Sequence, residues 1–216
     1  VPQLLSVRPL RRYVYPFTYA GTTAMPAYHS SYNDELNVRQ VAGAAILPLN
    51  SKIRGPAPLP GVLKDFGALT FSGPIAADIV DEAIDLFRAN SLFRNFEIKG
   101  AADRTLIYLI LFISDCLSRI AAAPTTWTKN EAYKHLSSYA VDAFALPGDA
   151  QFPLSTLYSL PNSRADAGMI VDLFMPDALR QYLTQARQET VSRLLDKIYV
   201  DDVPSRWWLA FSKRKL

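Results

Sequence analysis

Between Arg104 and Asp115 lie eight consecutive apolar residues, Leu106 to Ile113. A membrane-crossing helix needs about 20 such residues, so the run is too short to span a bilayer. Its length suits a helix buried on nearly all sides, and that places residues 103 to 122 at the centre of a core. Pro124 stops this helix. A chain of 216 residues is long enough for one well-buried core.

The neighbouring segments read as further helices. Asp78 is positioned to cap a helix ending near Asn90, which the pattern makes a left-handed terminator. Asp81 and Glu82 put negative charge on its first turn, and Ile79, Ala83 and Phe87 recur on one face. Thr128 and Glu131 form a capping box before a third helix, whose face runs Ala132, Leu136, Ala140, Phe144 until Pro147 and Gly148 end it. The last long helix spans about Asp177 to Tyr199. Its stripe is Leu179, Tyr182, Leu183, Ala186, Val191, Leu194, Leu195 and Ile198. A short terminal element follows Pro204.

Nine of the 15 prolines fall in the first 74 residues. Proline lacks the amide hydrogen that helices and central strands need, so this third is expected to be extended and loop-rich. No strand-length alternation persists anywhere. The fold class is all-α: a single helical domain of four or more helices with an irregular, proline-rich N-terminal third.

Chemistry is harder to find. His29 beside Ser30 and Ser31 invites a nucleophile reading, but a triad needs a base oriented by a carboxylate in space, which adjacency does not supply. The expected reading is polar residues in a proline-flanked loop. Cys116 sits in the most apolar helix, where burial raises a thiol pKa, so it reads as structural. His135 reads as solvated or at the core edge. Two histidines and one cysteine, far apart, do not make a zinc site. Gly55, Gly61, Gly67 and Gly73 recur every six residues without the lysine or spacing of a phosphate cradle. No catalytic, cofactor-binding or metal-ligating set is expected, and the chain does not read as an enzyme.

Charge adds little. The chain has 23 basic and 20 acidic residues, a net of 23 − 20 = +3, too small to argue for a nucleic-acid partner. Arg8, Arg11 and Arg12 account for all of it, leaving 23 − 3 = 20 basic against 20 acidic residues from 25 to 216. An arginine-bearing, acid-free start has the composition of a mitochondrial transit peptide, which keeps a mitochondrially targeted helical protein as the alternative reading. Pro2, Pro9 and Pro16 interrupt any amphipathic helix there.

Specific blocks of sequence point to a family. Met25-Pro26-Ala27-Tyr28-His29-Ser30-Ser31 resembles the start of the third subunit of the actin-related protein 2/3 complex. The resemblance continues through Ala45 to Leu49, Gly55-Pro56-Ala57-Pro58, Asp78 to Ala83, Asn95 to Lys99 and Ala102 to Tyr108. It runs on through Phe152-Pro153-Leu154, Arg187-Gln188-Glu189-Thr190 and Pro204-Ser205-Arg206-Trp207-Trp208, in family order. Asp85 to Ser91 and Trp208 to Phe211 look most like fungal members. The resemblance implies an all-helical, non-catalytic subunit of a seven-subunit actin nucleator, without a cofactor of its own. It implies docking mainly on the third actin-related protein, contact with the actin filament in the branch, and a place in the cytoplasm at cortical actin structures.

Three departures follow from the same comparison. Residues 1–24 have no family counterpart and read as a disordered or artefactual extension to a 25–216 domain. About 61–77 reads as a loop insertion, or an unspliced intron. The family's short tail is absent after Leu216. For the interface, the aromatic-basic end points to Arg206, Trp207, Trp208, Lys213, Arg214 and Lys215, together with Tyr28 and His29. Tryptophan and arginine are enriched in interfaces, and a basic tip suits an acidic protein surface. At least one of the two tryptophans is expected in the core.

Overall fold

The computed structural model describes residues 28–34, 38–58, 77–91, 97–142, 144–147, 149, 151–158 and 175–212. Helix dominates. The long helices are α1 (Ile79–Asn90), α2 (Ala101–Ala121), α3 (Lys129–Asp142) and α4 (Met175–Ile198), with a single turn α5 (Arg206–Leu209) near the C-terminal end. Two small antiparallel ladders complete it: β1 (Gln40–Val41) with β2 (Ala44–Ala45), and β3 (Tyr199–Val200) with β4 (Val203–Pro204). No helix among the described residues is long and apolar enough to cross a membrane.

The apolar run fixes the centre. Leu106, Leu109, Phe112, Ile113, Cys116 and Leu117 of α2 are buried, and α2 packs against α1, α4, α5, β2 and the short 3-10 helix Ser31–Asp34. Helices α3 and α4 pack on each other, so α4 joins α3 to the pair formed by α1 and α2. Every residue of the α4 stripe expected from the sequence is buried. The expected caps also form. Asp78 accepts from the amides of Val80 and Asp81, and Thr128 exchanges hydrogen bonds with Glu131.

The extended N-terminal segment runs through the core without a ladder of its own beyond β2. Ile46, Leu47 and Leu49 are buried, and a buried backbone group must be paired. Side chains supply much of the pairing. The Leu47 amide donates to the Tyr182 hydroxyl (3.1 Å), the Asn50 amide to Asp78 (2.8 Å), and the Thr105 hydroxyl donates to the Ala45 carbonyl (2.7 Å). The Gly55 turn closes against α4 in the same way. Gln185 accepts from the Ala57 amide and donates to the Ile53 carbonyl. A β-carbon at Gly55 would lie 2.2 Å from the Gln185 amide oxygen, so this glycine is needed for close approach rather than for a phosphate.

Asp78 sits where three elements meet. It is fully buried, and Arg193 of α4 grips both its oxygens at 2.7 and 2.9 Å. Arg193 also meets Asp81, Glu189 and the Asn50 carbonyl. The carboxylates hold its guanidinium charged against the cost of burial, raising its pKa further. A second arginine, Arg187, is fully buried and closes the far end of α3. Its Nε donates to the Ala140 carbonyl at 2.6 Å, and its remaining nitrogens reach Tyr108, Thr184 and the Val141 carbonyl. Cationic donors suit a helix C-terminus.

Two sequence expectations are corrected. Asn90 is not a left-handed terminator. It is the last residue of α1, buried, and its amide is spent on the backbone of Tyr28, while Ser91 closes the helix in an ordinary right-handed conformation. Helix α3 ends at Asp142 rather than near Pro147. Arg187 takes the Ala140 carbonyl that Phe144 would have bonded in a longer helix. Phe144 still reaches the core, edge-on to Tyr108, Phe112 and Tyr139. The expected extension over 1–24 and the insertion over 61–77 lie outside the described residues, except Ala77, whose carbonyl accepts from the Tyr32 hydroxyl.

Two outcomes test this packing. Arg193→Ala leaves Asp78 buried without its cation and should cost about 3–5 kcal/mol in urea unfolding. The second concerns alkaline pH. Burial pushes the Tyr108 hydroxyl up to about 12, above its value near 10 in an unfolded chain. The folded state then holds a proton that the unfolded state has lost, so stability is full below pH 10 and falls as pH rises toward 12. Urea midpoints at pH 8, 10 and 11 should decline only above pH 10.

Candidate interaction surface

The expected interface residues that the structure describes fall in two places, both held by α1. At the first, Tyr28 to Ser31 lie along α1 and the start of α2. The Tyr28 backbone exchanges two hydrogen bonds with Asn90 (3.0 and 2.9 Å). The His29 Nδ1 lies 2.9 Å from an oxygen of Asp103, whose other oxygen accepts the Ser30 amide at 2.8 Å. Glu82 receives the Ser30 hydroxyl at 2.6 Å and the Ser31 amide at 2.8 Å. Asn33 joins them by accepting the Asp103 amide, and a β-carbon at Gly100 would lie 2.3 Å from its side-chain oxygen. Tyr28 and His29 are half-buried, so the segment is a fixed edge rather than a free loop.

At the second place the two tryptophans divide. Trp208 is 9% exposed and stacks on Phe87 of α1, 6.1 Å between centroids. Trp207 is 64% exposed. The Arg88 guanidinium lies over its ring at 4.8 Å and over Phe211 at 5.4 Å. Arg206 is exposed beside it. Lys213, Arg214 and Lys215 lie outside the described residues. At 100° per residue, Glu82 and Asn90 are about 80° apart around α1, and Arg88 is at least about 120° from either. The two places therefore occupy different flanks of one helix.

Catalysis by the polar cluster would need a nucleophile hydrogen-bonded to an oriented base. His29 has the oriented carboxylate that a triad requires, 74 residues away in sequence, a partner that adjacency could not reveal. The Ser30 hydroxyl, however, donates to Glu82 rather than to His29, so the His29–Asp103 pair is not set to take its proton. Burial pushes the Cys116 thiol well above its usual range, which makes it a poor nucleophile. His135 stacks on Trp127 at 4.4 Å and is exposed. Among the described residues, no group of three or more His, Cys, Asp or Glu is arranged to hold a metal ion. What the geometry provides is a rigid surface with an exposed indole and guanidinium groups.

Residues 25–216 match the model of the family described as P21-Arc, the ARP2/3 complex ARPC3 (21 kDa) subunit. The chain belongs to the ARPC3 family. Among similar proteins, actin-related protein 2/3 complex subunit 3 of fission yeast, Schizosaccharomyces pombe, is 46% identical over 193 residues, covering 88% of this chain and 97% of its own. The Saccharomyces cerevisiae protein of the same description is 43% identical with the same coverage. That of Dictyostelium discoideum is 43% identical over 87% of this chain and 95% of its own. An ARPC3-type subunit is non-catalytic.

In this ARPC3 chain the Tyr28–Ser31 edge depends on Glu82. Glu82→Ala should speed hydrogen exchange at the Ser31 amide about tenfold or more, since the bond to that carboxylate is lost. Amides in the middle of α1 should keep their protection, which the same measurement reports.

Proposed function

We propose that this chain is a structural subunit of the actin-related protein 2/3 complex. In this reading it supports nucleation of branched actin filaments on mother filaments once nucleation-promoting factors have activated the complex. The observation that carries the reading is the family match across residues 25–216. It acts by binding. Its chief contact is the third actin-related protein, with the actin filament a further contact inside the branch, and its place is cytoplasmic, at cortical actin structures.

The residues assigned to these contacts are Tyr28, His29, Arg206, Trp207, Trp208, Lys213, Arg214 and Lys215. Support comes from composition and exposure. Trp207 and Arg206 are presented to solvent, and residue types of this kind dominate the energetics of docking. Trp208 serves indirectly, since its packing on Phe87 sets the direction of α5.

Pull-down of the tagged chain from cell extract should recover the other subunits of the complex by mass spectrometry. Recovery without any of them counts against the reading. Matrix staining of the tagged chain, in place of cortical actin staining, supports the mitochondrial alternative. Reversing charge with Lys213→Glu and Arg214→Glu together should lower co-purification and branching rate by about tenfold, because electrostatic complementarity guides docking. Unchanged values remove those two residues from the interface.

A further inference from the structure

Five large apolar residues are exposed among the described residues: Tyr133, Val141, Val200, Val203 and Trp207. Three of them fall between 200 and 207. Val200 and Val203 face each other across the β3–β4 ladder, and Trp207 lies in the turn of helix that follows. An exposed indole is the kind of side chain that protein interfaces use.

Arg88 gives the patch its chemistry. It belongs to α1 yet lies against two rings of the C-terminal end. Its Nε is sealed from solvent and has no hydrogen-bond partner among the described residues, although buried polar atoms almost always have one. Among the described residues, neither Arg88 nor Arg206 is paired with a carboxylate. The rings hold the Arg88 guanidinium in place, so a ligand that meets it pays little further ordering cost.

We propose that Trp207, Arg88 and Arg206 form one docking point for a protein segment within the assembled complex that carries an apolar side chain next to a carboxylate. The apolar side chain covers the exposed indole, and the carboxylate pairs with the guanidinium groups. Charge complementarity selects this occupant. Among the described residues the patch offers two arginines not paired with a carboxylate, and the sequence continues into Lys213, Arg214 and Lys215. Carboxylate is the anion a protein surface supplies, and arginine binds it in a planar, two-point manner. The inference rests on the reading of this chain as a subunit of the complex, and it adds Arg88, a residue of another helix, to the C-terminal surface.

The test uses the complex reconstituted without this subunit, titrated with the full chain at several salt concentrations. Trp207→Ala should weaken binding about tenfold or more. Arg88→Gln and Arg206→Gln should each weaken it and make it less sensitive to salt, with Arg88→Lys intermediate. Thermal unfolding of each variant is measured alongside. Should Arg88→Gln fail to fold, Arg206→Gln and Trp207→Ala carry the test. Wild-type affinity for Trp207→Ala, or unaltered salt dependence in the folded arginine variants, overturns the proposal while leaving complex membership standing. Failure of the wild-type chain to bind the complex overturns the membership reading and this inference with it. Self-association of the free chain that Trp207→Ala abolishes assigns the patch to a second copy, and also overturns the proposal.

Discussion

Asp78 is buried at the N-terminus of α1, and a carboxylate there is tolerable only because every neighbour answers it. Two amides of its own helix, the Asn50 amide and both arms of Arg193 converge on its two oxygens. The cluster therefore ties together the extended segment, the start of α1 and the C-terminal part of α4. An isolated carboxylate at this depth would be strongly disfavoured. The site forms only when all three elements are in register, and that requirement sets how α1 and α4 cross. It also sets where residues 45–50 enter the core, and through α1 it sets both flanks of the interaction surface.

Local signals are legible in the sequence. A cap such as Asp78 or the Thr128–Glu131 pair is written within four residues, and the apolar stripe of α4 within one helix. The misreadings share a different cause. Asn90 looked like a terminator because asparagine tolerates the left-handed region. Its actual partner is the backbone of Tyr28, 62 residues away. Helix α3 looked longer because nothing local announces that Arg187 will take the Ala140 carbonyl. The carboxylate facing His29 was invisible for the same reason. Polar contacts between distant residues leave no periodicity, whereas apolar faces do.

The family blocks take on physical content here. In Ala102-Asp103-Arg104-Thr105, Asp103 holds Ser30, Arg104 holds the Gly43 and Leu157 carbonyls, and Thr105 holds Ala45. In Arg187-Gln188-Glu189-Thr190, Arg187 closes α3 and Glu189 joins Arg193 to the Ser51 hydroxyl. These words carry the cross-links that the apolar pattern could not supply. Of the interface residues, the split between Trp207 and Trp208 needed the structure, since both occur in the same aromatic-basic run and only the position of Phe87 separates them.

The threaded segment has a consequence for synthesis. Leu47 leaves the ribosome early, but the hydroxyl that satisfies its amide belongs to Tyr182, made 135 residues later. Asp78 likewise waits 115 residues for Arg193. Residues 45–50 are thus made well before the helix that houses them. During that interval Ile46, Leu47 and Leu49 have no core to enter, and a nascent chain that exposes apolar residues is prone to wrong associations. Fold completion is set by the arrival of α4 rather than by the order in which the helices are written.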